Sequence, residues 1–430
     1  MPQRPALPTF VPALAFALFG APAVLVAQYT VPGSLAELPS DRKEKVEEAA
    51  REARWGSGRL RIEPWFTLSD AGYYFEDEVQ PDGSTDLEGD LSATVGAGLR
   101  AYLRAGSRMI LAAHGKLDYV YWADRDERRT PLGQYGVGLF GEAGRLGMEV
   151  TATRAESQEL FTAESLRRAP SQVDALAASF DLQVGRGLFL RFGGSDSSTR
   201  VLDPEEQGTE ALVQLDRDEQ RLFLDTGYLF RGGLVVTLGY EESATDFRGA
   251  RDRSNDGTAY RFGVDYRANR FTLSGSMAQR EIEAAPGSSF GGFDGTTYRV
   301  QLGLGQGRRI APVFYAQRDL VYTLDASSSY ALDERVGASL SVSLGRRTTL
   351  SGYFETGEQE FRAVGEAATG RLDDLTAWGG QLGITLGRGL RLYAGYRSIE
   401  YDSNLPGQDR EERSILGGLR FGGKSEGPWY

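Results

Sequence analysis

The 430-residue chain has no cysteine, one histidine and four methionines. Without cysteine there is no disulfide framework, no thiolate zinc site and no cysteine nucleophile. A single histidine cannot supply a multi-histidine metal site. An excess of positive charge is also missing. Lys and Arg number 48 against 60 Asp and Glu, a net charge of −12, which argues against a broad nucleic-acid-binding surface. After the first 27 residues no window approaches the run of about 18 apolar residues that marks a membrane-spanning helix. No phosphate-binding loop, dinucleotide fingerprint, serine elbow or iron ligand set is present. Glycine and aromatics are plentiful, with 55 Gly, 20 Tyr and 21 Phe.

Residues 1–27 read as a secretory signal. Arg4 gives a thin positive start, Phe10 to Phe19 form an apolar stretch, and small-residue cleavage sites follow at Ala21-Pro22-Ala23 and Leu25-Val26-Ala27. A membrane anchor is the competing reading, but Pro12 and Pro22 interrupt the stretch and it falls short of the ~20 residues that span a bilayer. A periplasmic segment, 28–57, is expected next, with a helix over about 41–54. Ser40 is a suitable N-cap, and Lys43/Glu47 and Glu47/Arg51 are i,i+4 pairs. Val46, Ala49, Ala50 and Ala53 form a narrow apolar stripe. The favoured expectation is a solvated charged helix, with a small plug or docking element as the alternative.

From Arg59 onward the hydrophobic period is two. Leu91, Ala93, Val95, Ala97, Leu99, Ala101 and Leu103 alternate with Ser92, Thr94, Gly96, Gly98, Arg100 and Tyr102. Thirteen alternating residues at ~3.3 Å span roughly 40 Å, enough for a tilted strand to cross an outer membrane. The pattern recurs, for example at Leu222 to Phe230, Tyr260 to Tyr266 and Val336 to Leu344, often with aromatics toward one end. Eight short connections bear Gly or Asn for tight hairpins: 105–108, 143–145, 185–187, 231–233, 268–270, 305–308, 345–347 and 387–389. Long polar connections alternate with them, the first placed at Ser69–Gly89 and the third at Glu156–Val173. Sixteen strands joined by the eight turns, plus one before and one after, give about 18 strands (16–20) over 58–422, with a tail at 423–430. The even count and both ends on the short-turn side satisfy the closure of an up-and-down antiparallel β-barrel, an all-β fold. Ala211–Leu215 and Leu320–Leu324 could be loop structure or strand extension. A propeller also repeats near 40 residues, but its period holds four short strands and not two long ones.

The last strand alternates Ile415, Gly417, Leu419 and Phe421 with Ser414, Leu416, Gly418 and Arg420. It resembles the aromatic-ended closing strand of Gram-negative outer-membrane β-barrels. In that family the aromatic is usually terminal, whereas here nine residues, Gly422 to Tyr430, follow Phe421. Phe421 is therefore the candidate assembly signal, with Tyr430 a weaker rival. Size, strand number and a single preceding helix also resemble porin-type barrels associated with exopolysaccharide export. The resemblance implies residence in the outer membrane, contact with its lipid and lipopolysaccharide, and handling by the barrel-assembly machinery. It also admits polysaccharide-export proteins as partners, and no nucleic acid.

Charged residues on the polar phase are the candidate pore lining: Arg100, Lys116, Asp118, Asp181, Arg191, Asp225, Arg261, Asp265, Arg299, Arg397 and Arg420. They could create a transverse field that filters solutes, or pair across strands and stiffen the wall. His114 also falls on this phase, where a hydrogen-bonded lumen histidine is expected; no catalytic residue, cofactor site or metal site is assigned. The short turns are basic and the long loops mostly acidic, and solubility of exposed loops is the expectation for the latter. Asp82-Gly83-Ser84-Thr85-Asp86 faintly suggests a calcium loop but lacks the twelve-residue spacing. The expected function is a passive pore or export channel for polar solutes or polysaccharide. The alternative is a structural or adhesion barrel whose acidic loops bind cations, glycans or a partner, and an outer-membrane enzyme is the weakest reading.

Overall fold

The computed structural model describes residues 31–32, 42–79, 85–160, 162–165, 168–207, 210–268, 270–305, 309–325, 327–363, 370–387 and 389–422. The expected signal (1–27), most of the Asp82–Asp86 stretch and the tail after Gly422 lie outside these residues.

Helix α1 (Arg42–Glu52) and a three-residue strand β1 (Trp55–Ser57) precede the barrel. Its first strand is β2 (Leu60–Val79). Hairpins follow in order: β3 (Thr85–Ala105) with β4 (Met109–Trp122), β5 (Thr130–Ala143) with β6 (Leu146–Leu160), β7 (Arg168–Gln183) with β8 (Leu188–Val201), and β9 (Arg217–Leu229) with β10 (Leu234–Phe247). They continue with β11 (Asn255–Ala268) and β12 (Phe271–Ala284), β13 (Phe293–Leu304) and β14 (Ile310–Val321), β15 (Ser328–Leu344) and β16 (Thr348–Ala363), then β17 (Leu372–Leu386) and β18 (Leu390–Ser403). The closing strand β19 (Arg410–Gly422) pairs antiparallel with β2, so β2 to β19 form a closed ring of 18 strands, with β1 an extra strand beside β2. Closure removes both sheet edges.

All eight expected short turns are the turns found. Gly106, Gly144, Gly232 and Gly345 adopt positive φ there, where a side chain would be strained. Period-two alternation sorts the side chains as anticipated. Leu99, Leu117, Val137, Leu222, Leu238, Val336, Leu340 and Leu344 are exposed on the outer face, and their neighbours in sequence point inward. Outward aromatics pack in tilted pairs, such as Trp378 with Tyr396 (4.9 Å) and Tyr240 with Tyr260 (5.5 Å).

Four features either depart from the expectations or were left open by them. The first long connection is not loop from Ser69 to Gly89: β2 and β3 stay paired out to Val79 and Thr85. Polar sequence misled there because a strand pair projecting beyond an apolar zone needs no apolar face. Second, β2 changes face midway. The ladders to β3 and β19 slip at residues 69–72 and 68–71 respectively, and Asp70 has φ +52°. Glu63 and Trp65 point inward before this bulge, Tyr74 and Glu76 after it. An extra residue exchanges the two faces of a strand. Third, Glu210–Leu215 is a 3-10 helix, whereas Leu320 and Val321 end β14.

Fourth, α1 is not solvated. Val46 and Ala50 are fully buried with Tyr102, Ile110, Ala112 and Phe140, and Ala49 and Ala53 pack on the same cluster. Those wall residues point into the barrel near the β3–β4 and β5–β6 turns, so the helix docks inside the short-turn mouth. The apolar stripe is matched by an apolar patch on an otherwise polar inner wall.

Candidate functional site

With strands ~4.8 Å apart and tilted ~40°, an 18-strand ring has a backbone diameter of roughly 36 Å, too wide for wall side chains to fill. What occupies the lumen therefore decides what the barrel can do. The long loops fold partly into it and are not simply exposed solubilising tips. The turn of chain at 162–165, between β6 and β7, reaches β17, β18 and β19. Leu160 and Ala163 pack against Leu375, Ala377, Ile399 and Tyr401 on β17 and β18. Arg410 of β19 donates its Nε–H to the Ala163 carbonyl at 2.8 Å. On the other side Glu164 accepts the backbone N–H groups of Leu324 and Asp325, the latter at 3.2 Å. Arg410 belongs to the closing strand β19, and Leu324 and Asp325 to the loop between β14 and β15, so the β6–β7 loop reaches across the lumen to meet both. Val31, upstream of α1, packs on the same cluster. The N-terminal part of the chain thus touches the lumen wall at two levels.

Around the crossing loop lies a cluster of four arginines and three carboxylates. Glu412, fully buried, holds Arg168 at 3.4 Å and also Arg397. Asp373, likewise buried, holds Arg371 at 2.6 Å, Arg410 at 2.8 Å and the Ser403 hydroxyl at 2.6 Å. Arg371 also lies 3.5 Å from Glu164. Aromatic faces support the cations: Arg168 lies over Tyr74 (4.4 Å), Arg371 over Phe361 (4.2 Å) and Arg410 over Tyr401 (4.8 Å). Rings under guanidinium groups restrict their motion and keep the donor edges fixed. Burial pushes the Glu164 carboxyl above its ordinary value, against the pull of its backbone donors and Arg371.

The eleven charged positions singled out in the sequence lie along the inner wall, mostly in cross-strand pairs. Asp181 stands opposite Arg191 and is ion-paired with it; Arg191 stands opposite Asp225. Arg261 reaches Asp225 at 2.6 Å across the intervening strand β10, whose residue there is Gly239. A Cβ at 239 would lie 1.9 Å from Asp225 Oδ1, so the missing side chain permits the pair. Arg261 also holds Glu241 at 2.8 Å. Lys116 pairs with Asp118 at 2.6 Å. Arg100 pairs with Glu63 at 3.4 Å and lies over Trp65. Asp265 is buried opposite Ser274, Arg299 stands between Ser276 and Gln317, and Arg420 stands opposite Arg391 and Thr67. His114 is buried opposite Arg100. Of the eleven, Arg397 alone belongs to the cluster at the crossing loop.

Sequence reasoning missed Arg168, Arg371, Arg410, Glu164, Asp373 and Glu412, because all were placed in or beside long loops. A signal was present. Arg167-Arg168 interrupts an acidic loop, and Asp409-Arg410-Glu411-Glu412-Arg413 mixes both signs densely.

No protein-family model matches the chain, and no curated protein is detectably similar in sequence. Solved structures are similar in fold. OccAB3 of Acinetobacter baumannii is 11% identical, covering 84% of this chain and 99% of its own, with a TM-score of 0.50. The outer membrane protein OpdK of Pseudomonas aeruginosa is 12% identical over 84% and 99%, also at 0.50. OccK2 (OpdF) of the same organism is 11% identical over 84% and 98%, again at 0.50. Identities this low establish a shared porin-like barrel architecture.

Proposed function

We propose that this chain is a passive outer-membrane pore for small polar solutes. The observation that carries the reading is the loop at 162–165, held across a charged lumen by Arg410, Arg371 and the Leu324–Asp325 backbone. A barrel serving only as a scaffold or adhesin has no use for a loop fixed inside it, whereas a pore needs a narrow, polar zone that sorts by size and charge. The apolar outer face supports placement in a bilayer, and the fold shared with OpdK supports the outer membrane. The same crossing loop favours small solutes over polysaccharide, because a polymer would have to displace both it and the ion pairs anchoring it. The wall pairs Asp181–Arg191 and Asp225–Arg261 stiffen the ring, leaving Arg168, Arg371, Arg397 and Arg410 with their three carboxylates to set the transverse field.

Single-channel recording of the protein in planar bilayers is the test. Steady ohmic steps are expected. A barrel that inserts but never conducts would sink the reading in favour of the scaffold alternative.

A further inference from the structure

The rim at the short-turn end carries a pattern that conduction does not use. Arg108, Arg145, Arg186, Arg231, Arg270 and Arg346 each sit in or beside a different turn, and Arg309 does so in a seventh. All seven are exposed, and among the described residues none of their side chains makes an ion pair. No Asp or Glu lies in any of the eight turns. Turns recur at every second strand, which places one guanidinium roughly every 12 Å around the circumference. The arginines also border the outward apolar surface. Arg186 lies between the exposed Val184 and Leu188, Arg231 follows Phe230, and Arg309 precedes Ile310. Short turns keep the charges at that level.

We propose that this ring binds the phosphates of anionic phospholipid headgroups in the leaflet bordering the short turns, which for this topology is the inner one. The guanidinium fork matches a phosphate in geometry and charge. Arginine stems can lie along apolar side chains while their heads reach the headgroup level. A lipid annulus follows the whole circumference at the hydrocarbon edge, as the ring does, whereas a docked acidic protein would need only a patch at the mouth. The opposite end has the reverse character, with long loops rich in Asp and Glu. The barrel thereby presents different charge to each leaflet, which fixes its depth and orientation. This inference does not depend on whether the lumen conducts.

The test uses the full-length mature barrel in phosphatidylcholine vesicles containing a minor fraction of brominated phosphatidylglycerol. Trp55, exposed at this rim, is the fluorescence reporter, in a background where Trp65, Trp122, Trp378 and Trp429 are replaced by Phe. Bromine on phosphatidylglycerol should quench several-fold more than the same mole fraction on phosphatidylcholine, and high salt should erase the difference. Each engaged arginine contributes about fivefold to affinity for an anionic surface. Combined Arg108→Gln, Arg186→Gln, Arg231→Gln, Arg270→Gln and Arg346→Gln substitutions should therefore sharply weaken the preference. The heat-modifiable gel shift should remain. Equal quenching by both lipids in the native protein would overturn the proposal, as would a preference unchanged in the variant or in high salt. Binding of soluble polyglutamate without lipid preference would assign the ring to an acidic protein partner and equally overturn it. Should the variant fail to fold, the salt dependence of the native protein decides alone.

Discussion

Leu340→Arg should prevent stable assembly, whereas Ser341→Arg should not. Leu340 is the middle of the outward row Val336, Ala338, Leu340, Val342 and Leu344 on β15, and is 45% exposed. Eight residue steps of ~3.3 Å on a strand tilted ~40° make this row about 20 Å tall, so Leu340 lies about 10 Å from either edge. Its cross-strand partners are Pro312 and Gly352, which offer little packing to lose. The cost is then dominated by moving a guanidinium to the bilayer midplane, ~2–4 kcal/mol on a barrel's lipid face. That is about 30- to 900-fold in the folding equilibrium. Ser341 points inward, opposite Ala311 and Ser351, where an added charge stays hydrated and should cost less than about 1 kcal/mol. Folded yield and urea titration in lipid vesicles measure both. Equal destabilisation would mean that the outer and inner faces do not meet lipid and water, and the membrane reading would fail with it.

Other outcomes follow from the lumen. Val46→Asp puts a carboxylate among Tyr102, Ile110, Ala112 and Phe140 and should release α1; protease cleavage near Arg51 and a larger unitary conductance are expected. The helix, about 16 Å long and 10–12 Å wide, covers only part of the mouth, so that increase should be modest. Glu412→Gln leaves Arg168 and Arg397 against an uncharged partner, changing the cluster from four cations facing three anions to four facing two; reversal potentials in a salt gradient should shift toward anion selectivity. Glu164, with its folded value raised by burial above the ordinary 4.5, favours the docked loop when protonated. Docking should therefore be firmest below about pH 4.5 and weaken as pH rises through the raised value, read as accessibility of a cysteine at Ala163 to a thiol reagent, with Glu164→Gln removing the pH dependence. Gly239→Ala should push the Asp225 carboxylate away from Arg261 and lower the melting temperature, an effect that Asp225→Ala in the same chain should largely absorb.

Strand number, hairpin order and the sorting of side chains to two faces were legible in the sequence by itself. Each depends on local chemistry: alternation fixes which face a residue joins, and glycine or asparagine beside arginine fixes where a chain reverses. Gly106 and Leu340 could be placed from their immediate neighbours. The crossing loop could not. Arg168 meets Glu412 across a separation of 244 residues, and Arg410 meets Ala163 across 247. Only ring closure brings β7 and β19 to one lumen. The docking of α1 was misjudged for a related reason. Its stripe of Val46, Ala49, Ala50 and Ala53 is equally compatible with water and with a shallow groove, and the deciding patch is assembled from β3, β4 and β5. The bulge at Asp70 and the gap at Gly239 also escaped notice, since an extra residue or a missing Cβ has meaning only against the strands on either side. Local period therefore determined the wall of this protein, and the closed tertiary structure decided what lies within it, because the contacts that fill a lumen are made between residues that sequence keeps far apart.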